Sequence, residues 1–74
     1  MTKQIKQNGV VIMSSQMLYL IPIVFNNLTG KNFGGQEYKN YLKMMFHDFP
    51  KLSYGEIELW EDGKMTTKGD VKKY

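Results

Sequence analysis

The stretch QEYKNYLKMMFHDF, Gln36–Phe49, has the clearest periodicity in this 74-residue chain. Its apolar side chains recur three or four residues apart, which is the spacing of one face of an α-helix. These residues are Tyr38, Tyr41, Leu42, Met45, Phe46 and Phe49. Pro50 disfavours helical geometry in the residue before it, so the helix is expected to end at Phe49. The stretch therefore predicts a central helix whose apolar face packs into the core.

The polar face of this helix carries two kinds of side chain that indicate different functions. Lys39, Lys43 and His47 are spaced four residues apart and form a basic edge. Met44 points away from the apolar arc, where it adds nothing to the core. The basic edge favours binding to phosphate groups, whereas an exposed methionine favours contact with another protein.

A second helical pattern precedes the central helix, in residues 17–28. Its apolar residues are Met17, Leu20, Ile21, Val24, Phe25 and Leu28. Ser14 and Ser15 can cap its start, and Gly30 suits the position just after its end. Pro22 lacks the N–H that a helix interior needs. The pattern therefore predicts either a helix kinked at Pro22 or a helix that restarts with Pro22 in its first turn.

The N-terminal part of the chain predicts a β-hairpin. Asn8-Gly9 lies between two extended runs, and this dipeptide is the strongest short signal for a type I′ turn. A two-residue loop pairs Ile5 with Ile12 on one face. The first strand is polar, so we expect it at the edge of a sheet.

The C-terminal part of the chain predicts a second hairpin. Ile57 and Leu59 alternate with residues expected on the outer face of a half-buried strand. The outward residues are Tyr54, Glu56, Glu58 and Trp60. A three-residue loop at residues 61–63, with its glycine in the left-handed conformation, aligns Leu59 with Met65. A two-residue loop instead places Ile57 opposite Lys68, and the first register is favoured because it pairs more side chains.

The order of these elements predicts the fold class. We expect a single small α+β domain over residues 1–74, with the order β-β-α-α-β-β and both helices packed on one antiparallel sheet. A winged-helix-like arrangement, with the C-terminal hairpin as a wing, is the second choice. Residues 69–74 are expected to form a frayed basic tail.

The composition indicates the cellular compartment of the protein and the kind of genome that encodes it. The chain has no cysteine, which excludes disulfides and thiolate metal sites and is typical of a cytoplasmic protein. It has ten lysines, no arginine, no alanine and a net charge of +3. Because alanine and arginine draw largely on GC-rich codons, the composition favours an AT-rich genome. A short AT-rich gene of this kind is typical of phages and mobile elements.

Membrane insertion and catalysis are not expected from this sequence. The longest uninterrupted apolar run, Met17–Phe25, is too short to span a bilayer. His47 is the only histidine, so a zinc site or a catalytic pair built on histidines has no second member. The acidic residues of the C-terminal hairpin are expected on a solvated face opposite lysines. We therefore expect a protein that is not an enzyme and that uses neither a cofactor nor a metal.

Two sets of surface residues remain as candidates for binding. Several exposed apolar residues on so small a protein mark a contact surface for another protein. This partner-binding set is Tyr19, Ile23, Met44, Tyr54 and Trp60. The basic set is Lys39, Lys43, His47, Lys64 and Lys68. The absence of arginine argues against direct reading of bases, although non-specific binding through phosphates remains open.

The sequence therefore favours a small cytoplasmic protein-binding module. Its concrete form would be a phage-encoded or mobile-element-encoded inhibitor that docks on a host protein or defence complex and occludes it. The alternative is a small regulator that binds nucleic acid through the lysine-rich helix edge and the hairpin. A third, less favoured hypothesis is a homo-oligomeric assembly subunit.

Overall fold

The computed structural model describes residues 2–73. Its elements, in chain order, are β1 (Lys3–Gln7), β2 (Val10–Ser15), α1 (Leu20–Leu28), α2 (Gly35–Asp48), β3 (Gly55–Glu61) and β4 (Lys64–Val71). The strands form one antiparallel sheet in the order β2-β1-β3-β4. This confirms the predicted α+β order. Because β3 pairs with β1, the C-terminal hairpin belongs to the main sheet and is not a separate wing.

Helix α2 follows the periodicity of the sequence closely. Its buried residues are Tyr38, Leu42 and Met45, and Tyr41, Phe46 and Phe49 are partly buried against the same core. Met44 is exposed, as its position opposite the apolar arc predicts. The helix ends at Asp48, directly before Phe49 and Pro50.

Helix α1 begins at Leu20, which makes Pro22 its third residue and confirms the restarted helix. The first turn of a helix leaves its N–H groups without intrahelical partners, so a proline is tolerated there. The predicted serine caps are wrong, because Ser14 and Ser15 lie in β2. The Ser15 hydroxyl instead accepts a hydrogen bond from the Met17 N–H at 3.0 Å.

The end of α1 is formed by the predicted glycine. Gly30 has a φ of +81°, and its N–H donates to the Asn27 carbonyl. The N–H of Lys31 donates to the Asn26 carbonyl, which completes a Schellman motif. This tight ending turns the chain towards α2.

The N-terminal hairpin has the predicted turn but a different register. Asn8 and Gly9 have φ values of +52° and +77°, as a type I′ turn requires. A β-bulge then leaves Ile12 without a partner, so Ile5 pairs with Met13 and the predicted Ile5–Ile12 pair is wrong. A bulge inserts one residue on one strand and shifts every later pair.

The C-terminal hairpin repeats the same device. Its loop is the two-residue Asp62-Gly63, with φ values of +52° and +80°, so the predicted three-residue loop is wrong. A bulge at Thr66 then shifts the register, so that Ile57 lies opposite Gly69. Neither of the two predicted registers contains this pair. A register predicted by pairing complementary side chains assumes a regular ladder, so it cannot predict a residue that a bulge leaves unpaired.

Strand β1 lies in the centre of the sheet, which corrects its predicted position at an edge. Ile5 is fully buried under the helices. Two polar side chains of β1 contact residues of the C-terminal half of the chain. The Gln7 amide bonds to Ser53, and the Lys6 ammonium lies 3.9 Å from the centre of the Trp60 ring.

The predicted frayed tail at residues 69–74 is wrong for its first half. Strand β4 continues through Val71, and the Val71 side chain is buried in the core. A buried apolar side chain holds the end of the strand in the sheet. Tyr74, the last residue of the predicted tail, lies outside the described residues.

The core lies between the helices and the inner face of the sheet, and Tyr38 is at its centre. The ring is fully buried, and its hydroxyl donates to the Leu28 carbonyl and accepts from the Lys72 N–H at 2.9 Å. At the helix interface, burial raises the pKa of Tyr41 above its usual range, and a hydrogen bond with Asn27 partly opposes the rise. Within residues 2–73, neither helix is long and apolar enough to cross a membrane.

Replacing Tyr38 with phenylalanine should lower the free energy of unfolding by about 1–3 kcal/mol, because two backbone groups lose a buried partner. Urea denaturation followed by circular dichroism measures the change. Tyr19→Phe is the matched control, since the Tyr19 side chain is exposed. Equal stability of the two variants would contradict the linking role of the Tyr38 hydroxyl.

Gly69 should not tolerate a side chain, because α1 crosses β4 closely there. A Cβ on Gly69 would lie 2.5 Å from the Thr29 Cγ2 atom and 3.3 Å from the Phe25 ring. Gly69→Ala should therefore destabilise the fold by about 1–3 kcal/mol through overpacking. Gly35→Ala is the control, because a Cβ there meets open space. Unchanged thermal stability of Gly69→Ala would show that the helix does not approach the strand so closely.

Candidate functional site

The first candidate surface is an exposed apolar strip at the start of α1. Met17, Leu18, Tyr19 and Leu20 are consecutive in sequence, and Ile23 lies one helical turn after Tyr19. Each of the five side chains has between 43% and 70% of its area exposed. Single exposed apolar residues are common on protein surfaces, but a contiguous run of large ones is typical of a contact surface.

Hydrogen bonds to the backbone hold the apolar strip in place. The Lys3 ammonium donates to the Leu18 carbonyl at 3.0 Å and lies 4.0 Å from the Glu61 carboxylate. The Ser15 hydroxyl accepts from the Met17 N–H just before the strip. The side chains are therefore presented from a backbone that is fixed to the sheet.

The apolar strip lies in a long uncharged part of the chain. Residues 7–30 contain no charged side chain, although the whole chain has seventeen charged residues, ten basic and seven acidic. Beside the strip, an apolar groove of about 380 Å³ opens between β2 and the two helices. Its lining includes Ile12, Leu20, Val24 and Phe49. The side chains of the strip and of this groove are uncharged, and the charge at the strip is the Lys3 ammonium on the Leu18 carbonyl, beside Glu61.

The second candidate surface is a basic groove beside α2. It is a half-open depression of about 400 Å³, lined by Gln36, Lys39, Leu42, Lys43, Phe46 and Tyr54. Tyr54 contacts Phe46 edge-on, with ring centres 4.9 Å apart, so it is not on the outer face of the sheet as predicted. The reason is that β3 begins only at Gly55, and Tyr54 belongs to the loop before it. The structure thus brings one residue of the partner-binding set together with two of the basic set.

A buried amide fixes the loop that carries Tyr54. The Gln7 side chain donates to the Ser53 carbonyl at 2.8 Å and accepts from the Ser53 N–H at 2.9 Å. Gln7 is buried, so these bonds are protected from competing water. The preceding residue, Leu52, is also buried in the core. The position of Tyr54 beside α2 is therefore set by two anchors next to it in sequence.

Trp60 lies on the outer face of the sheet, as predicted, and is separate from both surfaces. Its indole N–H donates to the Glu58 carboxylate at 3.0 Å, and the Lys6 ammonium covers its ring at 3.9 Å. It is only partly exposed, and its cross-strand neighbours are Gln4 and Met65. Trp60 is therefore already engaged within the sheet.

The remaining predicted residues do not extend either surface. His47 is exposed beside Asp48 and does not line the basic groove. Lys64 and Lys68 lie on β4, where Lys68 is 3.8 Å from Glu56. Met44 is exposed on α2 but is not in the groove lining. The predicted basic set is thus divided between α2 and β4.

Three residues of the apolar strip were missed by the sequence analysis. The periodicity predicts Met17 and Leu20 on the buried stripe of a longer helix, and it says nothing about Leu18. The signal that could have identified them is Pro22: its preference for the first turn places residues 17–19 before the helix. The structure confirms that placement.

The described residues contain no group of three His, Asp or Glu side chains close enough together to hold a metal ion. What the two surfaces offer is contact chemistry: apolar area on the strip, and ammonium groups beside aromatic rings in the groove.

Comparison with known proteins places the chain in a family. Residues 2–72 match the model of the family described as Domain of unknown function (DUF7688), so the chain belongs to that family. No curated protein and no solved structure matches the chain. Residues 2–72 include both candidate surfaces, so each surface lies within the matched region.

Removing the Lys3 ammonium should loosen the apolar strip. In Lys3→Met, backbone order parameters of residues 17–19, measured by ¹⁵N relaxation, should fall from about 0.85 towards 0.6. Lys64→Met is the matched control, because Lys64 lies on β4 and, within residues 2–73, forms no hydrogen bond with the strip. Unchanged order parameters in Lys3→Met would show that the strip is held by other contacts.

Proposed function

We propose that this DUF7688 chain is a small non-enzymatic protein-binding module that docks on a partner protein through the apolar strip. The observation that carries the proposal is the exposure of Met17, Leu18, Tyr19 and Leu20 on a backbone held by Lys3. Leaving large apolar side chains in water is unfavourable, and covering them with a partner releases that free energy.

The composition of the strip supports binding to a protein. Tyrosine and methionine are enriched at protein interfaces, and a few central aromatic or large side chains supply most of the binding free energy. Tyr19 and Ile23 are one turn apart on the exposed side of α1, so both can enter one cleft of a partner. Because the fixed backbone is already ordered, docking loses little conformational entropy.

The charges indicate what the partner surface looks like. Residues 7–30 are uncharged, so the complementary surface is an apolar cleft without unpaired charges. A module of 74 residues that covers such a cleft acts by occlusion, because the bound chain blocks access to it. Two points remain predictions from composition. One is that the chain acts on a host protein or defence complex in the cytoplasm, and the other is that the gene comes from a phage.

Capture from a host lysate in about 0.5 M salt tests the proposal, because apolar contacts survive screening that removes charge contacts. The captured protein is then purified, and its affinity for the chain is measured by calorimetry. Tyr19→Ser/Ile23→Ser should bind at least about 30-fold more weakly, since the two anchors together contribute at least about 2 kcal/mol.

Met65→Ser is the control, because Met65 is an exposed methionine on β4 and not part of the strip. Circular dichroism confirms that each variant is folded. A purified partner that binds the double variant as tightly as the natural chain would contradict the proposal. A dimer that light scattering shows to dissociate in the double variant would contradict it as well, because a second copy would then cover the strip.

A further inference from the structure

We propose that the basic groove beside α2 is a binding site for a nucleoside phosphate, with the phosphate on Lys39 and Lys43 and the base against Tyr54. This site is separate from the apolar strip and goes beyond the protein-binding function. The ligand has a phosphate linked through a sugar to a planar base. Either a free nucleotide or one unit of a single-stranded nucleic acid has this structure.

The charges of the groove favour a phosphate. Lys39 and Lys43 are one helical turn apart, so both ammonium groups reach the same wall of the groove. No acidic side chain is part of the groove lining. Neither lysine forms an ion pair within residues 2–73, whereas Lys3 and Lys68 each have a carboxylate nearby. Two unneutralised ammonium groups facing one cavity attract an anion with more than one oxygen.

The aromatic rings of the groove favour a planar group next to that anion. Tyr54 is half exposed, and its edge-on contact with Phe46 holds the ring beside the two lysines. Aromatic side chains next to basic ones are the usual platform for unpaired bases. The Lys73 ammonium lies 6.0 Å from the centre of the Tyr54 ring and brings a third positive charge.

The groove is already formed before a ligand arrives. Its volume of about 400 Å³ lies within the range of small-molecule sites and suits one nucleotide unit rather than a duplex. The buried Gln7 amide fixes Ser53, and with it the loop that carries Tyr54. Leu42 is buried in the core and forms the floor. Ligand binding therefore needs no rearrangement of the backbone.

Within residues 2–73, Trp60 also has a lysine beside its ring, and it is a poorer site. The Lys6 ammonium lies 3.9 Å from its ring centre, in direct contact, whereas Lys73 is 6.0 Å from the centre of the Tyr54 ring. The indole N–H of Trp60 is also bonded to the Glu58 carboxylate. That carboxylate repels a phosphate, whereas the lining of the basic groove has no such group. The chain has no arginine, so a site of this kind binds nucleotides without bidentate reading of the base.

The test is a set of NMR titrations of the ¹⁵N-labelled chain with four separate probes. They are adenosine 5′-monophosphate, adenosine, inorganic phosphate and an oligothymidylate of ten nucleotides. The monophosphate should shift the amide signals of residues 36–46 and of Tyr54, and adenosine alone should bind more weakly. Lys39→Gln/Lys43→Gln should weaken binding by at least about tenfold, as should Tyr54→Leu. The lysine variant leaves the core intact, so its result stands even if Tyr54→Leu is unstable.

Lys64→Gln/Lys68→Gln is the matched control, because it removes the same charge from β4, outside the groove. An oligonucleotide that binds much more tightly than the monophosphate identifies a single strand as the source, and equal affinities identify a free nucleotide. The proposal is overturned if the control loses as much affinity as the groove variant, or if no probe shifts the groove signals at millimolar concentration. Tyr19→Ser/Ile23→Ser should bind the nucleotide normally, so this result and the docking result can fail independently.

Discussion

The two hydrogen bonds of the Tyr38 hydroxyl join parts of the chain that are far apart in sequence. One bond reaches the Leu28 carbonyl at the end of α1, and the other receives the Lys72 N–H just after β4. Because the ring belongs to α2, one buried side chain connects both helices to the last strand. In a domain of this size the core is small, and a shared polar contact at its centre fixes how the layers meet. Helix α2, which carries Tyr38, also supplies most of the lining of the basic groove.

Both hairpins of the sheet combine a tight turn with a β-bulge, and this combination shapes the sheet. Each hairpin has an Asx-Gly turn, and each leaves the third residue after the glycine, Ile12 or Thr66, without a partner. Bulges increase the local twist of a strand and change which face the following side chains meet. The second bulge places Gly69 opposite Ile57, where the missing side chain lets α1 approach β4. Packing between layers therefore depends on irregular points in the ladder.

The fold separates apolar contact from charge. The uncharged residues 7–30 form β2 and α1, and they present the apolar strip. Lysines and aromatic rings meet instead on the far side of α2, in the basic groove. The residues of the basic groove and those of the apolar strip are therefore separate sets. From sequence alone, protein binding and phosphate binding are alternatives, because Lys39, Lys43 and Met44 fall on one helix face.

The sequence by itself determined the elements and their order. Periodicity located α2, Asn-Gly marked the first turn and Gly30 marked the end of α1, since these signals arise from local backbone preferences. The sequence also places the second turn at residues 61–63, one residue longer than the Asp62-Gly63 loop of the structure. The tertiary structure alone decided the registers, the central place of β1 and the burial of Val71. It also decided that Tyr54 lies beside Lys39 and Lys43. These outcomes depend on contacts between residues distant in sequence, which no local pattern contains.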